Sequence, residues 1–154
     1  QISGYDGVEP SGNSNAALAF LRLSVYLAEP ALSLKAEKIF LSFSDDLMEY
    51  GLNSAFMLQA LHLYLSGLKE VAVVGKRNDP TTQKMLNTLR KGFYPNAVFA
   101  FAYEDEIENA GKLIPLLKDR KLMNRKGTAY VCRQGACLAP VQSAEELVKL
   151  LSYE

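Results

Sequence analysis

The pattern of apolar and polar positions changes its period about halfway along the chain. In residues 1–67, apolar side chains recur at helical spacing and predict helices to about Leu27, from Leu32 to Tyr50, and from Asn53 to Leu65. After this point, short apolar runs alternate with amphipathic segments. The pattern therefore predicts a helical segment over residues 1–67 and a small α/β lobe over residues 68–154.

The first and third of these predicted helices are apolar on almost every side. Asn13, Ser14 or Asn15 is the predicted cap of the first helix, and only Arg22 and Ser24 interrupt its apolar run. Such a helix must be covered all round, and large exposed apolar patches usually mark interfaces. We therefore predict a homodimer, or a monomer that self-associates, through these two helices. The alternative is that the α/β lobe covers them.

The lobe has the predicted element order β-α-β-α-β-β-α. Asp79 and Pro80 open its first helix, a less regular helix covers residues 105–117, and Ser143 with Glu146 forms a capping box for the last. Alternating strands and helices predict a mostly parallel sheet with a right-handed first crossover. The fold class is α/β, either thioredoxin-like or small Rossmann-like. The predicted strands are four short apolar runs, residues 70–75, 96–103, 127–133 and 137–141.

Composition and charge narrow the classes of function. The 154 residues are 49% hydrophobic, and 17 basic residues balance 17 acidic ones. This balance favours neither nucleic acid nor an anionic membrane as a partner. No apolar run approaches the roughly 20 residues that span a bilayer, and the first helix lacks the flanks of a signal peptide. We predict a cytoplasmic protein without a cofactor.

Polar residues crowd the loop ahead of the first helix. A helix N-terminus offers free N–H groups and a favourable dipole to anionic or hydroxylated ligands. Asp6 and Glu9 could form a carboxylate pair for acid–base catalysis, with Tyr5, Ser11 and Asn13 binding the ligand. On residue types alone, a capped turn built from ordinary turn residues is the favoured alternative.

Two cysteines, Cys132 and Cys137, lie five positions apart across a predicted hairpin. A cross-strand disulfide, a redox pair and half of a metal site are the functional interpretations. A zinc site needs about four ligands, and His62 is the only histidine, so we predict no metal. A redox motif is usually C-x-x-C at a helix start, which this is not. Packing of both thiols as small apolar side chains is therefore the expected outcome.

Two loops concentrate basic side chains. Residues 75–77 precede a predicted helix but match neither glycine-rich phosphate motif, and residues 118–127 contain no aromatic side chain on which a base could stack. We interpret both loops as solvated connectors.

Three longer stretches carry a family resemblance: YDGVEPSGNSNAALAFLRL, EVAVVGKRNDPTTQKML and TAYVCRQGACLAPV. In this order they are similar to the C-terminal region of the YyaL-type proteins, also called the spermatogenesis-associated, thioredoxin-domain-containing family. The resemblance implies a parent protein with an N-terminal thioredoxin-like domain. It further implies an α/α barrel similar to the N-acylglucosamine 2-epimerases and six-hairpin glycosidases, followed by a segment like this chain.

The resemblance implies that this chain is a C-terminal fragment and that residues 1–67 are the last barrel helices. Its partner would be the remainder of the parent chain. A carbohydrate ligand at the barrel mouth would place Asp6 and Glu9 in proton transfer by an epimerase-, isomerase- or glycosidase-like parent, and the fragment alone is expected to be inactive. The alternatives are a non-catalytic structural or protein-interaction module and a thiol redox relay through Cys132 and Cys137.

Overall fold

The chain divides into two compact units in a computed structural model that describes residues 3–152. Unit 1 is Gln1–Gly67 and unit 2 is Leu68–Glu154. Unit 1 is helical throughout, whereas unit 2 combines helices with a sheet, so the α/β class is confirmed. Among the described residues, no helix combines the length and the apolar character needed to cross a membrane.

Unit 1 contains four helices and one short 3-10 turn. Helix α1 begins behind Ser11, whose hydroxyl accepts a hydrogen bond from the N–H of Ser14. The predicted caps Asn13, Ser14 and Asn15 are therefore wrong, because Ser11 already supplies the capping oxygen and the later residues continue the helix. The elements are α1 (Gly12–Tyr26), α2 (Pro30–Ser42), α3 (Ser44–Tyr50), the 3-10 turn (Gly51–Ser54) and α4 (Ala55–Ser66).

The single helix predicted from Leu32 to Tyr50 is broken at Phe43, which is a correction to the sequence-based prediction. The backbone of Phe43 has φ −117° and ψ 18° and separates α2 from α3. Ser42 and Ser44 flank this residue, and each hydroxyl donates to a carbonyl of the preceding turn. Such local side-chain bonds compete with a regular helix ladder and explain the break.

The core of unit 1 is built mostly from small or medium side chains. Helix α1 packs against both α2 and α4, and the rings of Phe40 and Tyr64 meet with centroids 5.7 Å apart. Several large apolar side chains remain exposed, including Met48 at 90% and Leu52 at 94%. The buried apolar residues of unit 1 are Ala17, Leu21, Ala36, Phe40, Met57, Ala60 and Leu63.

Unit 2 is a four-stranded sheet with the strand order β2-β1-β3-β4. Strands β1 and β2 are parallel, whereas β1–β3 and β3–β4 are antiparallel. The predicted mostly parallel sheet is therefore wrong, because β3 joins the opposite edge of β1 in the reverse direction. The elements are β1 (Lys69–Gly75), α5 (Pro80–Lys91), β2 (Ala97–Tyr103), α6 (Ile107–Leu113), a 3-10 turn (Pro115–Leu117), β3 (Thr128–Arg133), β4 (Ala136–Cys137) and α7 (Ala144–Ser152).

Strand β1 lies at the centre of the core of unit 2. It has strand neighbours on both edges, and its residues from Val71 to Gly75 are all buried, so both faces of the strand are covered. The predicted helix starts are confirmed: Asp79 caps α5 with Pro80 next, and the Ser143 hydroxyl accepts from the N–H of Glu146 ahead of α7. The core cluster consists of Val71, Val73, Met85, Ala97, Ala129, Val131, Ala144, Leu147 and Leu151.

Proline shortens two predicted elements of unit 2. The helix predicted over residues 105–117 ends at Leu113, because Pro115 disfavours helical backbone at the residue before it. The strand predicted to run to Val141 ends at Cys137, although Val141 still exchanges two backbone hydrogen bonds with Ala129. Pro140 has no N–H to donate and interrupts the strand between these points.

Candidate functional site

The carboxylate of Asp6 ties the N-terminal loop to the start of α4. Its Oδ2 accepts from the N–H groups of Phe56 (2.8 Å) and Met57 (3.0 Å), and its Oδ1 accepts from the N–H of Ser11 (2.7 Å). The N–H of Asp6 also donates to the carbonyl of Asn53 at 2.7 Å. The N–H groups in the first turn of a helix lack partners within the helix, so a side chain about 50 residues away supplies the cap.

These hydrogen bonds control the charge of Asp6. Burial raises the pKa of this carboxyl group, but the bonds from Ser11, Ser14, Met57 and Phe56 outweigh burial and hold the pKa below its ordinary value of 3.8. The helix dipole at the start of α4 favours the same charged form. The arrangement keeps Asp6 ionised and hydrogen-bonded, which suits a cap better than a group that must give and take protons.

The structure does not bring the other predicted site residues together as one ligand-binding set. Glu9 is exposed, and Tyr5 is 61% exposed. The Ser11 hydroxyl is the cap of α1, and the amide of Asn13 donates to the carbonyl of Ser3 at 2.9 Å. Ser11 and Asn13 therefore make bonds that shape the turn. A ligand role for these residues stays a prediction.

Sequence reasoning missed a groove beside this loop. The groove has a volume of about 220 Å³, and its walls combine the rings of Tyr5, Phe43 and Tyr50 with the polar side chains of Asp46 and Asn53. A hydrogen bond with Glu49, burial and the charge of Asp46 together raise the pKa of Tyr50. No signal in the sequence pointed to the groove, because its walls come from the loop and from the break between α2 and α3.

Cys132 and Cys137 form a disulfide, so the expectation of two packed thiols is wrong. The residues are direct partners across the β3–β4 hairpin. The hairpin turn consists of Gln134 and Gly135, whose φ angles are 51° and 80°. Positive φ at both central residues is typical of a two-residue turn that pairs the flanking strands tightly. The turn therefore explains why the two sulfurs meet.

Arg120 lies beside this disulfide and was not singled out from the sequence. Its Nη2 is 3.6 Å from Sγ of Cys132 and 3.9 Å from Sγ of Cys137. The guanidinium also lies over the ring of Tyr130, 4.9 Å from its centroid. The sequence predicts a solvated connector for the segment that carries Arg120, and for this half-buried side chain that prediction is wrong. Within residues 3–152, no group of three or more His, Cys, Asp or Glu side chains is arranged to hold a metal ion.

The chain is similar to spermatogenesis-associated protein 20. The human protein (Homo sapiens) is 29% identical over 146 residues, which are 95% of this chain and 19% of the relative. The rat protein (Rattus norvegicus) is 27% identical over 146 residues, or 95% of this chain and 18% of the relative. The chain therefore spans about a fifth of the length of these relatives. No protein-family model matches the chain, and no solved structure matches it significantly.

These matches confirm the similarity to a spermatogenesis-associated protein that the three sequence motifs indicated, whereas the C-terminal position and the barrel stay predictions. The matched region covers almost all of this chain but only a minor share of each relative. This agrees with the expectation that the chain corresponds to one part of a larger protein.

Proposed function

We propose that unit 1 of this chain is a non-catalytic structural and interaction module of a longer protein. The observation that carries the proposal is the carboxylate of Asp6, which accepts hydrogen bonds from three backbone N–H groups and caps α4. A general base needs an oxygen that is free to take a proton from a substrate. In this geometry, proton transfer to Asp6 would remove the charge that these hydrogen bonds stabilise and would weaken the cap.

The exposed apolar side chains of unit 1 support an interaction role. Monomeric proteins rarely expose large contiguous apolar patches, and such patches usually mark interfaces. We propose that the remainder of a longer parent chain covers these side chains, since the curated relatives are about five times as long as the matched segment. The exposed residues of unit 1 include Val8, Leu23, Leu27, Leu34, Leu41, Met48, Leu52 and Leu65.

The proposed parent retains the architecture implied by the resemblance. Unit 1 would then supply the last helices of an α/α barrel, and unit 2 would be a thioredoxin-like lobe. The antiparallel strand β3 supports the thioredoxin-like alternative over the Rossmann-like one, because doubly wound nucleotide-binding sheets are mostly parallel. The cytoplasmic location is part of the same proposal.

A carbohydrate-binding parent is the second candidate, and the groove beside the loop favours it. Aromatic rings next to carboxylate and amide groups suit a polyhydroxylated ligand, whose faces are apolar and whose hydroxyls form hydrogen bonds. The groove offers Tyr5 and Tyr50 for stacking and Asp46 and Asn53 for hydrogen bonds. Under this second proposal, the sugar would contact the groove residues rather than Asp6 and Glu9. An epimerase- or glycosidase-like reaction would then need catalytic residues from the rest of the parent barrel.

Unfolding measurements on Asp6→Asn and Glu9→Gln test the structural role. We expect Asp6→Asn to lower the free energy of unfolding by about 1–2 kcal/mol, because partly buried N–H groups lose a charged acceptor. Glu9→Gln is the matched control, and we expect no change because Glu9 is exposed. Circular dichroism suits the measurement, since the chain has no tryptophan. Equal stability of the two variants would overturn the structural role.

A saccharide panel tests the second candidate on the same chain. Thermal shifts are measured with N-acetylglucosamine, mannose and cellobiose, and the panel is repeated with Tyr50→Ala and Asp46→Asn. The structural proposal expects no shift with any sugar. A saturable shift that both groove variants remove, and that Glu9→Gln retains, would instead establish carbohydrate binding at the groove.

A further inference from the structure

One cysteine of the disulfide in unit 2 is exposed to solvent, and the other is buried. Cys132 lies within β3 and is 2% exposed, whereas Cys137 lies on the short β4 strand and is exposed. The two residues are separated by only five positions in the chain. A disulfide that closes so short a loop removes less entropy from the unfolded chain than one that closes a long loop, and a stabilising role does not exclude a chemical one.

Arg120 places a permanent positive charge next to both sulfur atoms. Its Nη2 approaches Sγ of Cys132 to 3.6 Å and Sγ of Cys137 to 3.9 Å. Within the described part of the chain, its buried Nε has no hydrogen-bond partner. A buried N–H without a partner costs free energy. Hydrogen bonds of Arg120 alone therefore do not explain why its side chain lies beside the disulfide.

Tyr130 holds the guanidinium in this position. Its ring lies under the guanidinium, with 4.9 Å between the guanidinium carbon and the ring centroid. Its hydroxyl donates to the carbonyl of Lys121 at 2.8 Å and so fixes the segment next to Arg120. Tyr130 itself is paired with Ala72 of the central strand. The cation is therefore anchored to the sheet rather than free to rotate in solvent.

We propose that Cys132–Cys137 is a thiol–disulfide exchange site for a dithiol substrate, and that Arg120 is the positioning residue that stabilises the leaving thiolate. This activity goes beyond the structural role proposed above and does not depend on Asp6 or on the exposed residues of unit 1. It fits the predicted cytoplasmic location, where disulfides are usually transient, catalytic or redox-sensing.

The exchange has two balanced steps. In the first, a thiolate of the dithiol attacks the exposed Sγ of Cys137, a mixed disulfide forms, and the electron pair of the broken bond leaves on Sγ of Cys132 beside Arg120. In the second, the other substrate thiol loses its proton to water and attacks its partner sulfur. Cys137 then leaves as a thiolate and takes a proton from water. Two electrons pass to the protein, and the dithiol becomes a disulfide.

The rate of reduction by dithiothreitol tests the role of Arg120. The oxidised chain is mixed with excess dithiothreitol at several pH values, and samples are quenched with acid and alkylated. Mass spectrometry then gives the fraction of reduced chain at each time. We expect Arg120→Met to slow reduction at least about fivefold, because the leaving thiolate loses its cation. Arg120→Lys should keep most of the wild-type rate. Lys121→Met removes a neighbouring exposed charge and should react as the wild type does.

Single-cysteine variants test which of the two sulfurs exchanges with an external disulfide. We expect the thiol of Cys137 in Cys132→Ala to form a mixed disulfide with oxidised glutathione much faster than the thiol of Cys132 in Cys137→Ala. Circular dichroism establishes that each variant is folded. Equal wild-type and Arg120→Met rates across the pH series, faster capture at Cys132, or a native disulfide that excess dithiothreitol leaves intact would each overturn the proposal. The Asp6 measurements are unaffected by any of these outcomes.

Discussion

Unit 1 and unit 2 bury their apolar side chains to different extents. Unit 2 closes a continuous core in which Met85, Leu117 and Leu147 are fully buried. In unit 1, Met57 is the only side chain of that size among the largest fully buried ones within residues 3–152, and Met48 and Leu52 are almost fully exposed. Most of the large exposed apolar side chains belong to unit 1, and most of the buried ones belong to unit 2.

The difference follows from how each unit is built. A sheet presents a continuous face that one layer of helices can cover, and α5 and α7 contribute residues to one core with β1 and β3. Helices that are apolar on most sides need neighbours on most sides, and unit 1 has too few elements to supply them. Unit 2 thus buries most of its apolar side chains, whereas unit 1 leaves several large ones exposed.

The largest expected effect is the loss of a core side chain from unit 2. Leu147→Ala should lower the free energy of unfolding by about 2–5 kcal/mol, because Leu147 is fully buried in the core cluster. Leu52→Ala in unit 1 is the matched control, with an expected change within about 0.5 kcal/mol. Urea unfolding followed by circular dichroism gives both values. Similar losses for the two variants would contradict the comparison between the units.

The next largest effect is acid sensitivity, to which one capping carboxylate in each unit contributes. Burial raises the pKa of Asp79, but bonds from Thr82, Gly127 and Thr81 outweigh it and lower the pKa below 3.8, as other bonds do for Asp6. A lowered folded pKa gives stability that is complete above the unfolded pKa, near 3.8, and is lost as pH falls through the folded pKa.

Asp6→Asn and Asp79→Asn test this effect in separate units. Each variant should be less stable than the wild type at neutral pH by about 1–2 kcal/mol. Below pH 3.8 the gap should narrow, because the wild type loses the contribution of the charged carboxylate. Hydrogen exchange, read segment by segment over a pH series, should localise the change to α4 for Asp6 and to α5 for Asp79. A gap that stays constant down to the folded pKa would contradict the linkage.

A smaller effect is expected on self-association through unit 1. Leu23→Lys combined with Leu65→Lys places two charges on the exposed parts of α1 and α4, the helices predicted to form the homodimer. Analytical ultracentrifugation should give a lower association constant for this variant. Phe93→Lys makes the same kind of change on unit 2, where Phe93 is 88% exposed, and should leave association unchanged. A wild-type chain that stays monomeric at high concentration would rule out the predicted dimer.

The smallest effect is expected at a surface ion pair. Lys84 and Glu145 form a salt bridge on unit 2, but their side chains are 65% and 62% exposed. Solvent and salt screen such pairs, so they add little to stability. Lys84→Met should therefore leave the midpoint of urea unfolding unchanged within error. A clearly lower midpoint would mean that surface ion pairs contribute substantially to the stability of unit 2, in addition to its buried core.

The parts of the fold that local interactions determine were predictable. Asp79 and Pro80 begin α5, and Ser143 caps the first turn of α7, which contains Glu146, because each motif joins residues within one helical turn. The order of strands and helices in unit 2 also follows from period and turn residues. The break at Phe43 was not predictable from the apolar pattern, which continues through it, because the flanking serine hydroxyls decide the backbone there.

The candidate sites were predicted only as residue types. The sequence placed Asp6 in a polar loop before a helix, which is correct, but it could not indicate that the carboxylate caps a helix 50 residues away. It placed Cys132 and Cys137 across a hairpin, yet packed thiols and a disulfide share that spacing. Arg120 is twelve positions before Cys132 in an ordinary basic segment, and nothing local distinguishes it from its neighbours.

The sequence by itself determined the change of apolar period between the two units, the starts of α5 and α7, and the order of elements in unit 2, because these depend on neighbours a few positions away. Tertiary structure decided the direction of β3 against β1, the capping role of Asp6 and the placement of Arg120 beside the disulfide. Each of these joins groups that are far apart in the chain or that could pair in more than one way. Only the packed chain brings a particular donor, acceptor or charge within a few ångströms of its partner.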